Sequence, residues 1–260
     1  MIDIHCHILG GIDDGPEDLD ASVAMARAAA AAGIETVVAT PHLRPDFPAV
    51  KVDEIAHRVS ELRAALVDAD IHLEVLPGGE VGLSWALEAD DAALKRASYG
   101  QLGRDLLIET PTVGGTMLPT LLGQIAARGY RITLAHPERL SDLRENPDLV
   151  DRLLERGVRL QVNAEGLVRN PRKSETARAA QAFVRAGLVT AIASDGHRGA
   201  ERRPITVLAD AAPALEELAP AGSVIQLTRD GPAAILSGEP LAPVYRRESN
   251  GGVFARLRGR

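Results

Sequence analysis

Short β-branched runs alternate with longer Ala- and Leu-rich stretches along the 260-residue chain. The short runs are MIDIH at the start, TVVAT (36–40), HLEVLPG (72–78), DLLIET (105–110), RITLAH (131–136), RLQVN (159–163) and VTAIAS (189–194). Their length and composition predict seven strands. Between them LDASVAMARAAAAAG, KVDEIAHRVSELRAALVDA and NPDLVDRLLERG space apolar residues at helical intervals, and two of these end in glycine, a common helix stop. Strand and helix in alternation predict repeated βα units and a mostly parallel sheet. Periodicity alone leaves an open doubly wound sheet and a closed barrel equally available.

Polar residues narrow the choice. His5 and His7 in MIDIHCHILGGIDDGP are two apart, so a strand sets both imidazoles on one face and turns Ile2, Ile4 and Cys6 the other way. Imidazole is costly to bury without partners, which argues against a packing role for the pair. His42 follows TVVAT, Glu80 follows HLEVLPG, Glu109 ends DLLIE, His136 ends RITLAH and Asp195 follows VTAIAS, with His197 two residues on. Polar residues gathered at the C-terminal ends of parallel strands are the arrangement of barrel active sites. Of the seven histidines, His57 falls among charged helical neighbours and His72 early in its strand, and both read as structural or solvated.

Composition limits the chemistry. A quarter of the residues are charged, 45% are hydrophobic and the net charge is −7, so no general nucleic-acid binding is expected. The exception is RRESNGGVFARLRGR (246–260), read as a solvated basic tail behind a single domain spanning 1–245. A single cysteine, Cys6, excludes an intramolecular disulfide and fits a reducing compartment, the cytoplasm. No leader peptide is expected, and the longest apolar stretch is interrupted by Arg27, Gly33 and Glu35, so no membrane insertion is expected either.

Five imidazoles (His5, His7, His42, His136, His197) and four carboxylates (Asp14, Glu80, Glu109, Asp195) make nine candidate ligands. A mononuclear catalytic zinc site commonly takes three protein ligands, so nine suffice for two or three ions. Nitrogen and oxygen donors without sulfur suit manganese, iron or zinc. Multinuclear sites serve hydrolysis by activating water and balancing charge on attacking and leaving oxygens. Arg139, three residues after His136, and Arg202 and Arg203, shortly after His197, match the planar multi-oxygen geometry of phosphate. Asp13 has two candidate roles, orienting His5 or His7 and shaping the turn before Gly15. Phe47 and Trp85 are the aromatic candidates near the rim, with Trp85 read as packing.

MIDIHCHILGGIDDGP, TPHLR, GGEV, LLIE, AHPER and ASDGH, in this order, resemble the PHP (polymerase and histidinol phosphatase) superfamily, and more narrowly its bacterial tyrosine-protein phosphatases encoded with capsule and exopolysaccharide genes. The resemblance implies an α/β fold, a distorted seven-stranded TIM-like barrel carrying three divalent ions, manganese first, with iron or zinc as alternatives. It implies His5, His7, Glu80 and Asp195 on one ion. Glu80 as a bridge, Glu109 and His136 fall on a second, and Asp14, His42 and His197 on a third. Arg139 and Arg202 are implied as catalytic phosphate-holding residues, with Arg203 able to substitute if the loop is built differently. The implied substrate is a phosphotyrosine protein, a bacterial tyrosine kinase controlling polysaccharide synthesis. VNAEGLVRN (162–170) departs from the family's more polar and aromatic pattern.

Alternatives remain at this stage. One is a phosphoesterase of the same superfamily acting on histidinol phosphate, a nucleotide or another small phosphomonoester; another is a non-catalytic regulator that binds a phosphorylated partner. An amidohydrolase-like enzyme would want a bridging lysine and a separate His–His pair, for which no counterpart is found. Thiol-dependent phosphatase chemistry needs an arginine six positions after its cysteine, and the residue six beyond Cys6 is Ile12.

Overall fold

In a computed structural model that describes residues 1–197 and 203–239, nine short strands form two all-parallel sheets. Arg202 and the basic tail 246–260 lie outside the described residues. The strands are β1 Ile2–Cys6, β2 Thr36–Ala39, β3 His42–Leu43, β4 Glu74–Pro77, β5 Glu80–Val81, β6 Asp105–Glu109, β7 Arg131–Ala135, β8 Arg159–Asn163 and β9 Ala191–Ala193. One sheet has the order β1-β2-β4 and the other β3-β5-β6-β7-β8-β9.

Nine strands replace the seven expected because two of the predicted runs are interrupted. TVVAT continues through Thr40 and Pro41 into β3, and proline has no N–H to give a ladder. HLEVLPG begins as a strand only at Glu74, leaving His72 exposed ahead of it, and breaks at Gly78 and Gly79 before β5. A Cβ on Gly78 would stand 2.9 Å from Val38 Cγ1, and one on Gly79 2.5 Å from Leu43 Cδ1, so any larger residue at this crossing would have to displace those side chains. Hydrogen bonds carry across both breaks, from Thr40 N–H to Cys6 C=O (2.9 Å) and from Glu80 N–H to Pro41 C=O (3.1 Å). At the other margin β1 meets the segment after β9 through one bridge, Cys6 to Gly196. Asp195 N–H donates to His5 C=O and His7 N–H to Gly196 C=O, both at 2.9 Å.

Helices lie against the outer faces. Leu19–Ala31 starts with the Asp18 carboxylate accepting from Ala21 N–H and buries Ser22, Met25, Ala26 and Ala29, one stripe at helical spacing. Ile55–Asp68 buries Ile55, Val59, Leu62 and Leu66 in the same manner. Each full aliphatic burial contributes about 1.5–3 kcal/mol, so Leu62→Asp would strip this helix from the sheet. Alternate strand residues, Leu106 and Ile108, Ile132 and Leu134, Ile192, join the large outer cluster. The opposite parity, Leu107, Ala135, Ala191 and Ala193, joins a smaller inner cluster with Ile4, Val38, Tyr99 and Ile235. Ile2 and Ile4 are corrections to the alternation expected for β1, since Ile4 joins the inner cluster and Ile2 packs against it. A register irregularity between Asp3 and Cys6 lets Ile4 and His5 both face inward, while Cys6 packs outward as expected.

Candidate active site

Because every strand runs the same way, their C-terminal ends form one rim, and the nine predicted ligand residues converge there. His5 lies in β1, with His7 just past its end; His42, Glu80 and Glu109 lie in β3, β5 and β6; His136, Asp195 and His197 follow β7 and β9; Asp14 comes from the loop after β1. His136 (φ 36°) and Asp195 (φ 48°) adopt left-handed backbone immediately after their strands. That conformation costs about 1–2 kcal/mol in a non-glycine residue and turns each side chain into the rim.

Glu80, fully buried, is the centre of the cluster. His136 Nε2 lies 2.8 Å from its Oε1 and His42 Nδ1 2.8 Å from its Oε2, with His5 Nε2 and His7 Nε2 each at 3.5 Å. Asp195 divides its two oxygens between different partners. Oδ1 faces His5 Nε2 (3.4 Å), His7 Nε2 (3.5 Å) and His197 Nδ1 (3.5 Å). Oδ2 accepts from Asn163 Nδ2 and Arg139 Nη2, both at 2.6 Å, and from Arg203 Nη1. Asp14 Oδ1 lies 3.1 Å from His197 Nε2 and 3.4 Å from His42 Nε2.

The donor set fits divalent cations. His5 Nε2, His7 Nε2, His42 Nδ1, Asp14 Oδ1 and Glu80 Oε2 are buried and make no hydrogen bond of proper geometry, though several approach one another closely. Buried polar atoms in that condition are costly unless they share a cation. They sort into four groups whose ligand atoms lie within 4.8 Å of one another: His7, Asp14, His42 and His197; His5, His7 and Glu80; His5, His136 and Asp195; and His42, Glu80 and Glu109. The grouping differs from the family-implied sets, since His136 joins His5 and Asp195, and Glu109 joins His42. Burial lowers His136 to about 4, with Arg139 adding to it, so this imidazole is neutral and available as a ligand. Burial would lower His42 too, yet Asp14 and Glu80 raise it to about 9.

The residues behind the cluster were less visible in sequence. Asp13 fills both roles considered for it: its Oδ2 is 2.9 Å from His7 Nδ1, and its Oδ1 accepts from Gly15 N–H at 3.0 Å. Gln161 Oε1 lies 2.8 Å from His5 Nδ1, and Gln161 Nε2 donates to Asn163 Oδ1 at 2.9 Å. Sequence reasoning missed Gln161 and Asn163, although their i, i+2 spacing on β8 is the signal that singled out His5 and His7. It also passed over Glu138, whose buried carboxylate accepts from Asn163 N–H at 3.0 Å, and Asp3, which binds Ser194. At the mouth Arg44 pairs with Glu109 and Asp46, its guanidinium 5.2 Å from the centre of Phe47. Phe47 stacks on His42 with ring centroids 4.5 Å apart, whereas Trp85 packs against the hydrophobic core. His57 and His72 are exposed and remote. Arg203, the position able to substitute for Arg202, meets Asp195 Oδ2 beside Arg139, while Arg202 lies outside the described residues.

Parallel α/β strands ending in a buried cluster of imidazoles and carboxylates, with arginines at its edge, define the class: a protein built to hold divalent cations beside an anionic ligand. The chain belongs to the capsular polysaccharide synthesis family CpsB/CapC, which matches residues 1–237. It is 36% identical over 198 residues, 76% of this chain and 77% of the relative, to the tyrosine-protein phosphatase YwqE of Bacillus subtilis. The tyrosine-protein phosphatase CpsB of Streptococcus agalactiae is 27% identical over 78% of this chain and 86% of its own. Among solved structures, one from a study of YwqE and Streptococcus pneumoniae CpsB, described as metal-dependent tyrosine phosphatases, superposes with a TM-score of 0.78 at 30% identity, covering 95% of this chain and 100% of the other. A phosphotriesterase homology protein from Escherichia coli shares the fold (TM-score 0.53, 18% identity, 89% of this chain and 97% of the other).

Proposed function

We propose that this chain is a metal-dependent protein-tyrosine phosphatase that removes phosphate from a bacterial tyrosine kinase governing capsule or exopolysaccharide synthesis. The observation that carries the reading is the convergence of nine ligand-type side chains on one rim with two arginines meeting at Asp195 Oδ2. Three divalent cations, manganese first and iron or zinc as alternatives, would be held by His5, His7, Asp14, His42, Glu80, Glu109, His136, Asp195 and His197. When bound, they supply Lewis acidity that activates water and draws charge from phosphoryl oxygens.

The chain's own residues do the rest. Arg139 and Arg203 present guanidinium groups at the mouth, their side chains 38% and 22% exposed, where they grip the equatorial oxygens of a phosphoryl group. Arg202, the family-implied position, stands next to Arg203 in sequence and shares the role as a candidate. The leaving group is a phenolate, whose conjugate acid has a pKa of about 10, so the step does not depend on a strong general acid. Cys6 takes no part: it is buried, and burial pushes its thiol far above the ordinary range, which leaves no thiolate nucleophile.

The fold serves this arrangement as a barrel of seven staves, β2–β3 and β4–β5 each being one interrupted stave and the Cys6–Gly196 bridge closing the circle; the continuous hydrogen bonding across both breaks supports that reading. Among the described residues no helix is long and apolar enough to cross a membrane, and the reading places the enzyme in the cytoplasm as one domain over 1–245.

The test is a manganese-reconstituted assay on a phosphotyrosine peptide, comparing the unaltered chain with His136→Ala and Arg139→Ala. Turnover by the unaltered chain, none by His136→Ala and strong impairment of Arg139→Ala is the expected result. Cation uptake without peptide turnover would sink the phosphotyrosine assignment and direct the search to small phosphomonoesters.

A further inference from the structure

We propose that Gln161 and Asn163 form a directional hydrogen-bond relay that starts at Asp195 and fixes which nitrogen of His5 faces the metal cluster. The proposal rests on the metal-site reading above and assigns two positioning residues that touch neither substrate nor cation.

The direction follows from donor and acceptor chemistry. Asp195 Oδ2 is a carboxylate oxygen and can only accept, so the side-chain atom of Asn163 that meets it at 2.6 Å must be the NH2 group. Asn163 therefore turns its carbonyl oxygen toward Gln161, and Gln161 must answer with its own NH2, at 2.9 Å. That leaves the Gln161 oxygen facing His5 Nδ1 at 2.8 Å, and an oxygen there requires Nδ1 to carry the proton. Nε2, the remaining ring nitrogen, is then the lone pair directed at Glu80 Oε1 (3.5 Å) and Asp195 Oδ1 (3.4 Å).

Burial makes the chain rigid. Gln161 and His5 are fully buried, and Asn163 and Asp195 nearly so, which keeps water from competing for any link. Asn163 is also pinned from its backbone, where its N–H donates to the buried Glu138 carboxylate at 3.0 Å. Its anchor at Asp195 Oδ2 is shared with Arg139 and Arg203, so the same carboxylate oxygen that meets the phosphate-side arginines sets the orientation of His5, whose Nε2 faces the other oxygen of that carboxylate. His7 has a simpler arrangement, a carboxylate directly on Nδ1 from Asp13. His5 receives the same orientation through two neutral amides, which adds no further negative charge beside Asp195.

The experiment uses protein labelled with 15N at histidine and loaded with Zn2+, reading the His5 Nδ1–H signal by long-range 15N–1H correlation, alongside Mn2+ affinity by titration. Gln161→Met keeps the volume and removes the acceptor; it should lose the protected Nδ1–H signal and weaken Mn2+ binding 10–100-fold, the usual cost of losing an orienting partner. Gln161→Glu retains an acceptor oxygen and should keep the signal, a rescue that a packing role would not produce. Asn163→Leu leaves Gln161 in place without its orienting partner and should weaken the signal although residue 163 does not touch His5. Retention of both the signal and unaltered Mn2+ affinity in Gln161→Met overturns the relay. If the unaltered chain takes up no Zn2+ or Mn2+, the metal-site reading fails. The relay is then decided in the metal-free protein, where the signal must be present in the unaltered chain and absent in Gln161→Met.

Discussion

Asp3 offers a test of how the seam between β1 and β9 is held. It is fully buried, and its Oδ1 accepts from Ser194 N–H (3.1 Å) and His5 N–H (3.3 Å), while Oδ2 accepts from Ser194 Oγ at 2.5 Å. Burial raises its pKa from 3.8 to about 6 against these hydrogen bonds, which pull the other way. The unfolded chain therefore ionises Asp3 first, and the folded chain holds the proton until about pH 6. The contribution to stability is fully present below pH 3.8, declines as pH rises toward 6, and is gone above it. A shift of this size corresponds to about 3 kcal/mol. Asp3→Asn keeps the shape, both Oδ1 contacts and a donor toward Ser194 Oγ, the same pattern as the protonated acid. It should match the unaltered chain near pH 4 and exceed it by about 3 kcal/mol above pH 7, measured by urea unfolding at half-unit steps. Asp3→Ala strands the two backbone N–H groups and should destabilise at every pH, by about 1–3 kcal/mol for each. Parallel pH profiles for the unaltered chain and Asp3→Asn would refute the reasoning, because they would mean that Asp3 titrates alike in both states.

Three further outcomes follow from the site. Arg203→Ala should lower kcat/KM on a phosphotyrosine peptide about 10–100-fold, the value of a charge-assisted hydrogen bond or two, and more than Arg202→Ala does; the reverse order would return the phosphate-holding role to Arg202. In chelator-treated protein His42, raised to about 9 by Asp14 and Glu80 against burial, contributes stability that is complete below pH 6.5 and lost as pH rises through 9, about 3 kcal/mol in all. Urea unfolding of the unaltered chain against His42→Gln across that interval checks it, and a constant difference between the two would contradict it. Chelation itself should lower the thermal midpoint, since a cation at 100 times its dissociation constant stabilises the folded state by about 2.7 kcal/mol per independent site; scanning calorimetry with and without manganese reads the shift.

What the sequence discloses and what it conceals divide along the range of the interaction. Helical spacing and β-branched runs are local, and the burial of Ile55, Val59, Leu62 and Leu66 on one helix face is visible in the string. The candidate ligand residues are legible for the same reason, since all but Asp14 end or closely follow a local strand signal and the fold collects them without further instruction. Parity is more fragile. It reads His5 and His7 correctly as neighbours but sends Ile4 outward, because counting by two does not survive the register irregularity between Asp3 and Cys6. The breaks at Pro41 and Gly78–Gly79 were present as residues, yet their consequence, two sheets in place of one, depends on how closely Val38 and Leu43 approach from another strand.

The least legible residues are those whose role is defined only by a partner. Gln161 and Asn163 are ordinary polar positions on β8 until Asp195, 32 residues beyond Asn163, supplies an oxygen that can only accept. Arg202 and Arg203 are equivalent by composition, and the contact of Arg203 with Asp195 is a tertiary fact that their adjacent positions in the string do not disclose. Asp195 thus joins three things that sequence spacing treats separately: the imidazole cluster on Oδ1, the arginines on Oδ2, and the amide pair that orients His5. A substitution there that keeps shape but removes charge, Asp195→Asn, would put an NH2 group or a neutral oxygen where Asn163, Arg139 and Arg203 now donate. It should disturb cation uptake, arginine placement and the His5 signal together, whereas Arg139→Ala should change phosphate binding and leave the His5 signal in place. Observing the three effects separate in Asp195→Asn would mean that the groups around this carboxylate are independent neighbours and not one device.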